Sequence, residues 1–291
     1  MTQVLKKIGC LLVVLSMVLA YVPAEAIAFS LPVVKPTLMK TETVIIPAAM
    51  DPDQRIRTVE TITRRVEYVP LAEEEYLTDP AAAGAVLREA MEKRLPTTTV
   101  LYEADATLSF EEVVASIREA AMAHTGQPTE GDYIAWQRGS IGAGGSYYPG
   151  GTTNQYTIEF TIEYYTTSEQ EAWMDTAVTE LLSSLDLYGM SDYEKLCAVY
   201  DWMCANITYD YANLEDESYD LKYTAYAALH DRTAVCQGYA LLLYRLMLEM
   251  GIDCRVITGL GNGGAHAWNI IERGELYYNA DATWDASWYQ A

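Results

Sequence analysis

Basic residues and cysteines are both scarce in this chain, and each scarcity excludes a class of protein. Its 291 residues hold 19 lysines and arginines against 41 aspartates and glutamates, a net charge of −22. A chain this acidic repels phosphate backbones and anionic lipid surfaces, so no nucleic-acid partner is expected. Only five cysteines are present. Cys197 and Cys204 are seven apart on one predicted helix, about 10 Å along its axis, too far for a disulfide between them. Cys254 falls in the strand-like Cys-Arg-Val-Ile-Thr and is expected in the core. No Cys-x-x-Cys pair occurs, so neither a disulfide framework nor a paired-thiol metal site is expected.

Long apolar runs are just as few. The run 8–19 follows Lys6 and Lys7 and precedes Ala24-Glu25-Ala26. A basic start, a short apolar stretch and a small-x-small cleavage site read as a secretory signal peptide over residues 1–26. Cys10 follows Lys-Ile-Gly, which lacks the apolar residue expected three before a lipidated cysteine. No other segment is long and apolar enough to span a bilayer. The expectation is a secreted or cell-surface protein with no membrane span after signal cleavage. Removing residues 1–26 takes away Lys6, Lys7 and Glu25 and leaves the chain no less acidic. The Gly-rich stretch 142–151 lacks Gly-Lys-Ser/Thr and any following helix, so it reads as a flexible loop and not a phosphate cradle. The acidic stretch 215–220 lacks the glycine and spacing of an EF-hand and reads as a solvated loop. No cofactor and no metal are expected.

The remaining pattern divides the chain. Residues 27–75, with Pro32, Pro36 and Pro47, read as a linker or arm carrying one strand near 57–69. Residues 76–187 read as a small α/β accessory domain. Within it, Asp79-Pro80 starts a helix to about Met91, and 97–102 is strand-like. Ser109 and Glu112 form a capping box for a helix to about His124. Residues 133–136 read as a short strand. Tyr156, Ile158, Phe160, Ile162 and Tyr164 alternate with polar residues, as in a half-buried strand. Ser168 and Glu171 cap a further helix with Trp173, Ala177, Leu181 and Leu185 on its apolar face. From residue 190 a third unit begins. Ser191 and Glu194 cap a helix carrying Leu196, Val199, Tyr200, Met203 and Ile207 at helical spacing. Residues 223–229 read as a second short helix.

Three short motifs in that last unit carry the chemistry. Cys236, in Ala-Val-Cys-Gln-Gly-Tyr-Ala, precedes an amphipathic run over 239–250, closed by Gly251. A cysteine in the first turn of a helix meets unpaired N–H groups and partial positive charge, which favour a nucleophilic thiolate and can hold an oxyanion. His266, in Ala-His-Ala-Trp-Asn, lies on a strand-like run after a glycine-rich turn over 259–264. Residues 272–274 read as a hairpin turn and 276–281 as the returning strand. The two arms of a hairpin bring His266 and Asp281 close. A carboxylate there fixes the imidazole tautomer and stabilises its charged form. Asp285 is the weaker carboxylate candidate. His124 and His230 read as a helix-end and a turn residue.

Taken together, Ala-Val-Cys-Gln-Gly-Tyr-Ala, His-Ala-Trp-Asn and Asp-Ala-Thr-Trp-Asp resemble the transglutaminase-like superfamily, whose catalytic core is related to papain. The segment 195–211, ending Asn-Ile-Thr-Tyr-Asp-Tyr, resembles the helix that opens this core. The resemblance covers residues 190–291. It implies an α+β fold, a helix-borne cysteine packed on antiparallel strands, preceded here by the small α/β domain. It implies Cys236 as nucleophile, His266 as base and Asp281 as orienting residue. Gln237, Gly238 and Trp268 are the expected substrate or oxyanion contacts. Ala282 stands where the family commonly has proline. The chain stops ten residues after Asp281, where family members usually continue, so a shortened core is expected. The implied chemistry is attack of a thiolate on an amide or acyl carbonyl of a peptide or protein, through a thioacyl intermediate. Water as acceptor makes a cysteine peptidase or amidase, and a primary amine makes a transglutaminase. Hydrolysis is the preferred expectation, because nothing in the sequence excludes water. The alternative is a catalytically silent binding module of the same fold, at the cell surface or wall.

Overall fold

A computed structural model describes residues 41–46, 57–61, 75–261 and 263–289. The expected leader and most of the arm lie outside them. Two apolar cores organise these residues, one around a sheet and one around the cysteine-bearing helix.

The sheet core begins with helix α1 (Pro80–Glu92), capped by the Asp79 carboxylate with proline at its first turn. Proline fits there because its missing N–H would be unpaired anyway. Strand β3 (Thr97–Asp105) follows. Helix α2 (Phe110–Ala121) opens on the Ser109–Glu112 capping box, with both reciprocal bonds made, and stops before His124. Strands β4 (Arg138–Pro149) and β5 (Thr153–Tyr164) form the sheet's longest pair. Two strands from the arm join them, β1 (Thr41–Ile46) and β2 (Arg57–Thr61). The order is β2-β1-β4-β5-β3, antiparallel throughout. The arm therefore holds two strands where the sequence indicated one.

The glycine-rich stretch 142–151 is not a loop. Residues through Pro149 form the central strand β4, paired on both sides. Its glycines permit close backbone approach: a Cβ on Gly145 would lie 2.3 Å from the Thr157 carbonyl oxygen. Flexibility and close approach select the same residue, so composition alone misassigned the segment. The short strand expected at 133–136 is instead helix α3 (Asp132–Trp136). Here tertiary contacts override propensity: the buried Asp132 carboxylate receives Arg255 through two nitrogens and also the Val256 N–H.

Helix α4 (Ser168–Ser184) is capped by Thr167 and Gln170, one residue earlier than Ser168 and Glu171. The buried face is Met174, Val178 and Leu181, with Ala177 and Leu185 packed partly buried against the same core and Trp173 exposed. Glu171, released from capping, binds Arg94 at 2.7 Å and the Tyr133 hydroxyl at 2.9 Å. Helix α4 packs with the second core.

In the second core, helix α5 (Asp192–Asn206) carries the Ser191–Glu194 capping box. Two-residue strands β6 (Thr208–Tyr209) and β7 (Thr233–Ala234) pair in parallel. The expected helix at 223–229 is a 3₁₀ turn (Asp220–Tyr223) and a π turn (Ala227–Asp231). Helix α6 (Cys236–Glu249) is buried on every side from Cys236 to Leu248. It is a central helix, not an amphipathic one. Each fully buried leucine, among them Leu241, Leu242 and Leu246, contributes roughly 1.5–3 kcal/mol of transfer free energy. Gly251, at φ +74°, ends the helix as expected. Strands β8 (Cys254–Gly261), β9 (Gly264–Arg273) and β10 (Leu276–Ala280) form an antiparallel sheet with β9 central. Helix α7 (Ala282–Tyr289) follows. Among the described residues no helix is long and apolar enough to cross a membrane.

Candidate functional site

Cys236 is the first residue of α6, fixed from both sides of its turn. Strand β7 leads directly into it, and β7 is held by β6. The chain can crowd this turn because position 238 is glycine. A Cβ there would meet the Ala234 Cβ and the Thr224 carbonyl oxygen, each at 2.7 Å. Gly238 thus serves close packing of the neighbouring strand and loop. The Gln237 side chain is buried and donates to the Trp136 carbonyl oxygen at 2.5 Å, which anchors the start of α6 to α3. Its amide is committed to the scaffold, so any oxyanion contact from this residue falls to its backbone N–H.

His266 reaches the cysteine from β9. Asn269, three residues on, is buried and donates to the Ala240 carbonyl oxygen at 2.9 Å. That bond ties β9 to α6 and sets where the imidazole stands relative to the thiol. The facing strand supplies room. Gly259 pairs with His266 and Gly261 with Gly264. A Cβ on Gly261 would lie 3.0 Å from the His266 side chain, and one on Gly259 would lie 3.0 Å from Trp268. Both glycines belong to strand β8, so the expected turn over 259–264 is confined to its tip. The glycines make a floor for two rings.

Asp281 sits between β10 and α7. Its Oδ2 lies 2.7 Å from His266 Nε2. Asp285 is placed elsewhere, accepting from the Tyr200 hydroxyl at 2.7 Å. The structure therefore brings Asp281 to the histidine. With Nε2 engaged, Nδ1 is the ring nitrogen left for the sulfur, and the Cys236 and His266 side chains are hydrogen-bonded. The imidazole pKa is raised to about 9, first by that bond with Cys236 and then, against the cost of burial, by the Asp281 carboxylate. A charged imidazolium at neutral pH is a suitable partner for a thiolate. Cys236 and His266 are 5% and 8% exposed, so the two side chains are largely withdrawn from water.

Aromatic groups frame the imidazole. Trp268 stacks with it at 5.9 Å and Trp284 at 5.0 Å, with interplanar angles of 20° and 16°. The Trp268 indole N–H donates to Asn279 at 2.9 Å, which fixes that ring. Tyr209 stands beside the cysteine, where its hydroxyl oxygen accepts the Cys236 backbone N–H. Burial pushes this hydroxyl up to about 12. Trp284 was legible in principle: it lies three residues after Asp281, one helical turn along α7. Tyr209 and Asn269 carried no comparable signal, because their roles depend on which elements pack.

The other thiols differ. Cys204 is buried against the Ala282 carbonyl, and burial pushes its thiol up to about 12. Burial also pushes the Cys254 thiol up. His124 bonds Asp253 at 2.7 Å, and His230 bonds Asp231 at 2.6 Å and stacks on Tyr226. Neither histidine joins the cysteine.

A thiol at a helix start, an imidazole on a hairpin and a carboxylate after it make a cysteine-based core of the papain and transglutaminase kind. Residues 180–284 match the family model of the Transglutaminase-like superfamily. The mouse kyphoscoliosis peptidase is 28% identical over 130 residues, 40% of this chain and 19% of that protein. The human kyphoscoliosis peptidase is 26% identical over 121 residues, 38% of this chain and 18% of that protein. The match thus spans less than a fifth of either curated relative. A solved structure described as a TGase is similar with a TM-score of 0.37 and 18% identity, covering 64% of this chain and 51% of that one.

Proposed function

We propose that this protein is a cysteine-dependent acyl-transfer enzyme acting on amide bonds of peptides or proteins, with water as the preferred acceptor. The observation that carries the reading is the linked set Cys236, His266 and Asp281. In the proposed sequence the Cys236 thiolate attacks the carbonyl carbon and a C–S bond forms. The oxyanion is held by N–H groups at the start of α6 and by the Tyr209 hydroxyl beside them. The His266 imidazolium then gives its proton to the leaving amine as the C–N bond breaks. The neutral imidazole next takes a proton from water, whose oxygen attacks the thioester, and the C–S bond breaks to release acid and thiol. Trp268 and Trp284 hold the imidazole plane through these steps. A primary amine in place of water would make the same site a transglutaminase. The peptidase names of the curated relatives favour water. A secreted or surface location is part of the reading and rests on the leader pattern in residues 1–26.

The test is incubation with glutamine-containing peptides and a primary amine, read by mass spectrometry against Cys236→Ala. Cysteine-dependent acid or shortened peptides are expected. An amine adduct would redirect the reading to transamidation. No product from either protein, with peptide still bound by Cys236→Ala, would replace the enzyme with a binding module.

A further inference from the structure

Helix α5 carries a second stripe beside the residues it gives to the core. Tyr193, Leu196, Cys197, Tyr200 and Asp201 follow at i, i+3, i+4, i+7 and i+8 and share one face. That face, with strands β9 and β10 and helix α7, encloses a cavity of about 320 Å³. This lies at the lower end of the roughly 300–1,000 Å³ of small-molecule sites. The floor is apolar, with Ile252 and Ile271 buried. Two tyrosines line it from opposite elements. Tyr193 comes from α5. Tyr278 pairs with Ile271 in the β9–β10 ladder, so those two side chains stand on one face of the sheet. Both tyrosines remain exposed, by 52% and 45%. Cys197 lines the same cavity as a half-buried free thiol.

The charges of the lining select the guest. Asp192, Asp201, Glu272 and Asp285 stand there against one cation, Arg273. Three of these acids are committed elsewhere. Asp285 accepts the Tyr200 hydroxyl at 2.7 Å, and Lys195 lies 3.7 Å from Asp192. Glu272 pairs with Tyr277, so its side chain turns to the opposite face of the sheet from Ile271. Asp201 makes no hydrogen bond or ion pair among the described residues. The Arg273 guanidinium already lies over the Tyr193 ring, 5.0 Å from its centroid, so a cation is accommodated on this wall. An apolar floor, tyrosine faces and an unpaired carboxylate suit a planar cation on an apolar stem. We propose that this cavity binds an arginine side chain of a peptide partner, its guanidinium between tyrosine and Asp201 and its stem on Leu196 and Ile271. The site shares none of Cys236, His266 and Asp281 and needs no turnover.

Cys197 is the reporter. In the full chain carrying Cys236→Ala, labelling of Cys197 by iodoacetamide is followed by mass spectrometry with acetyl-Leu-Arg-amide. Acetyl-Leu-Gln-amide is the uncharged control. The arginine peptide should slow labelling saturably, by about tenfold when nine-tenths of the sites are filled. The glutamine peptide should leave the rate unchanged. Asp201→Asn, at an exposed position of α5, should raise the half-protecting concentration by at least about tenfold. Tyr278→Ala, on the facing strand, should raise it too and serves if the asparagine variant does not fold. Labelling unaffected by about 10 mM arginine peptide, equal protection by the glutamine peptide, or undiminished protection in both variants would overturn the site.

Discussion

The two apolar cores use the same unusual residues for opposite ends. In the sheet core, glycine at 145 lets two backbones approach, and the gain is a well-paired central strand. In the cysteine core, glycines at 259 and 261 leave space that two rings then fill, and the gain is the placement of an imidazole. Buried polar groups divide the same way. Asp132, on α3, neutralises Arg255 of β8 and stitches elements together. Asn269 and Asp281 fix His266 relative to a thiol. Departures from ordinary patterning in the first region serve stability. In the second they serve the geometry of a few atoms.

That comparison breaks most sharply at His266. His266→Ala should slow alkylation of Cys236 near neutral pH by about 30-fold, because the thiolate loses the imidazolium that favours it over the thiol. Its melting temperature should fall below the parent's, because Asp281 loses its partner and two indoles lose the ring they stack on. Equal alkylation rates in the two proteins, followed with iodoacetamide, would remove the histidine from the site. A matched pair of glycine changes comes next. Gly145→Ala forces a Cβ against the Thr157 carbonyl and should cost about 1–3 kcal/mol of stability, leaving the alkylation rate unchanged. Gly261→Ala presses on the His266 ring and should slow alkylation by about tenfold, at a smaller cost in stability. Urea melts and alkylation rates on both variants would show whether the two cores separate these effects. If both variants lose stability and reactivity in parallel, the division of labour is wrong.

Much of this was legible in the sequence, and the failures have a common cause. The capping boxes at Ser109 and Ser191 and the alternation over 156–164 were readable because each is local: the signal and its partner lie within a few residues. Cys236, His266 and Asp281 were readable as three motifs. That Asp281 rather than Asp285 meets the histidine followed from the hairpin, since Asp281 ends its returning strand. Glycine misled twice, at 142–151 and 259–264, because freedom to turn and freedom to pack closely share a sequence signature. The strand expected at 133–136 failed for a different reason: Asp132 answers to Arg255 and Val256, more than a hundred residues away.

The smallest effect sharpens the comparison by separating two duties of one residue. His266 keeps its proton up to about pH 9 because the Cys236 bond and the Asp281 carboxylate favour the charged ring. As the pKa is raised, the protonated form is complete below the ordinary histidine value near 6.5 and is lost as pH climbs through about 9. Alkylation needs only a thiolate, so its rate should not fall above pH 9. Peptide turnover also needs the imidazolium as acid for the leaving amine, so kcat/KM should drop by about fivefold between pH 9 and 10. Parallel profiles of alkylation and turnover would mean that the proton on His266 does not reach the leaving group. The ring would then hold the thiolate in place without acting as the acid, and some other donor would have to be found among the groups around Cys236, Tyr209 first.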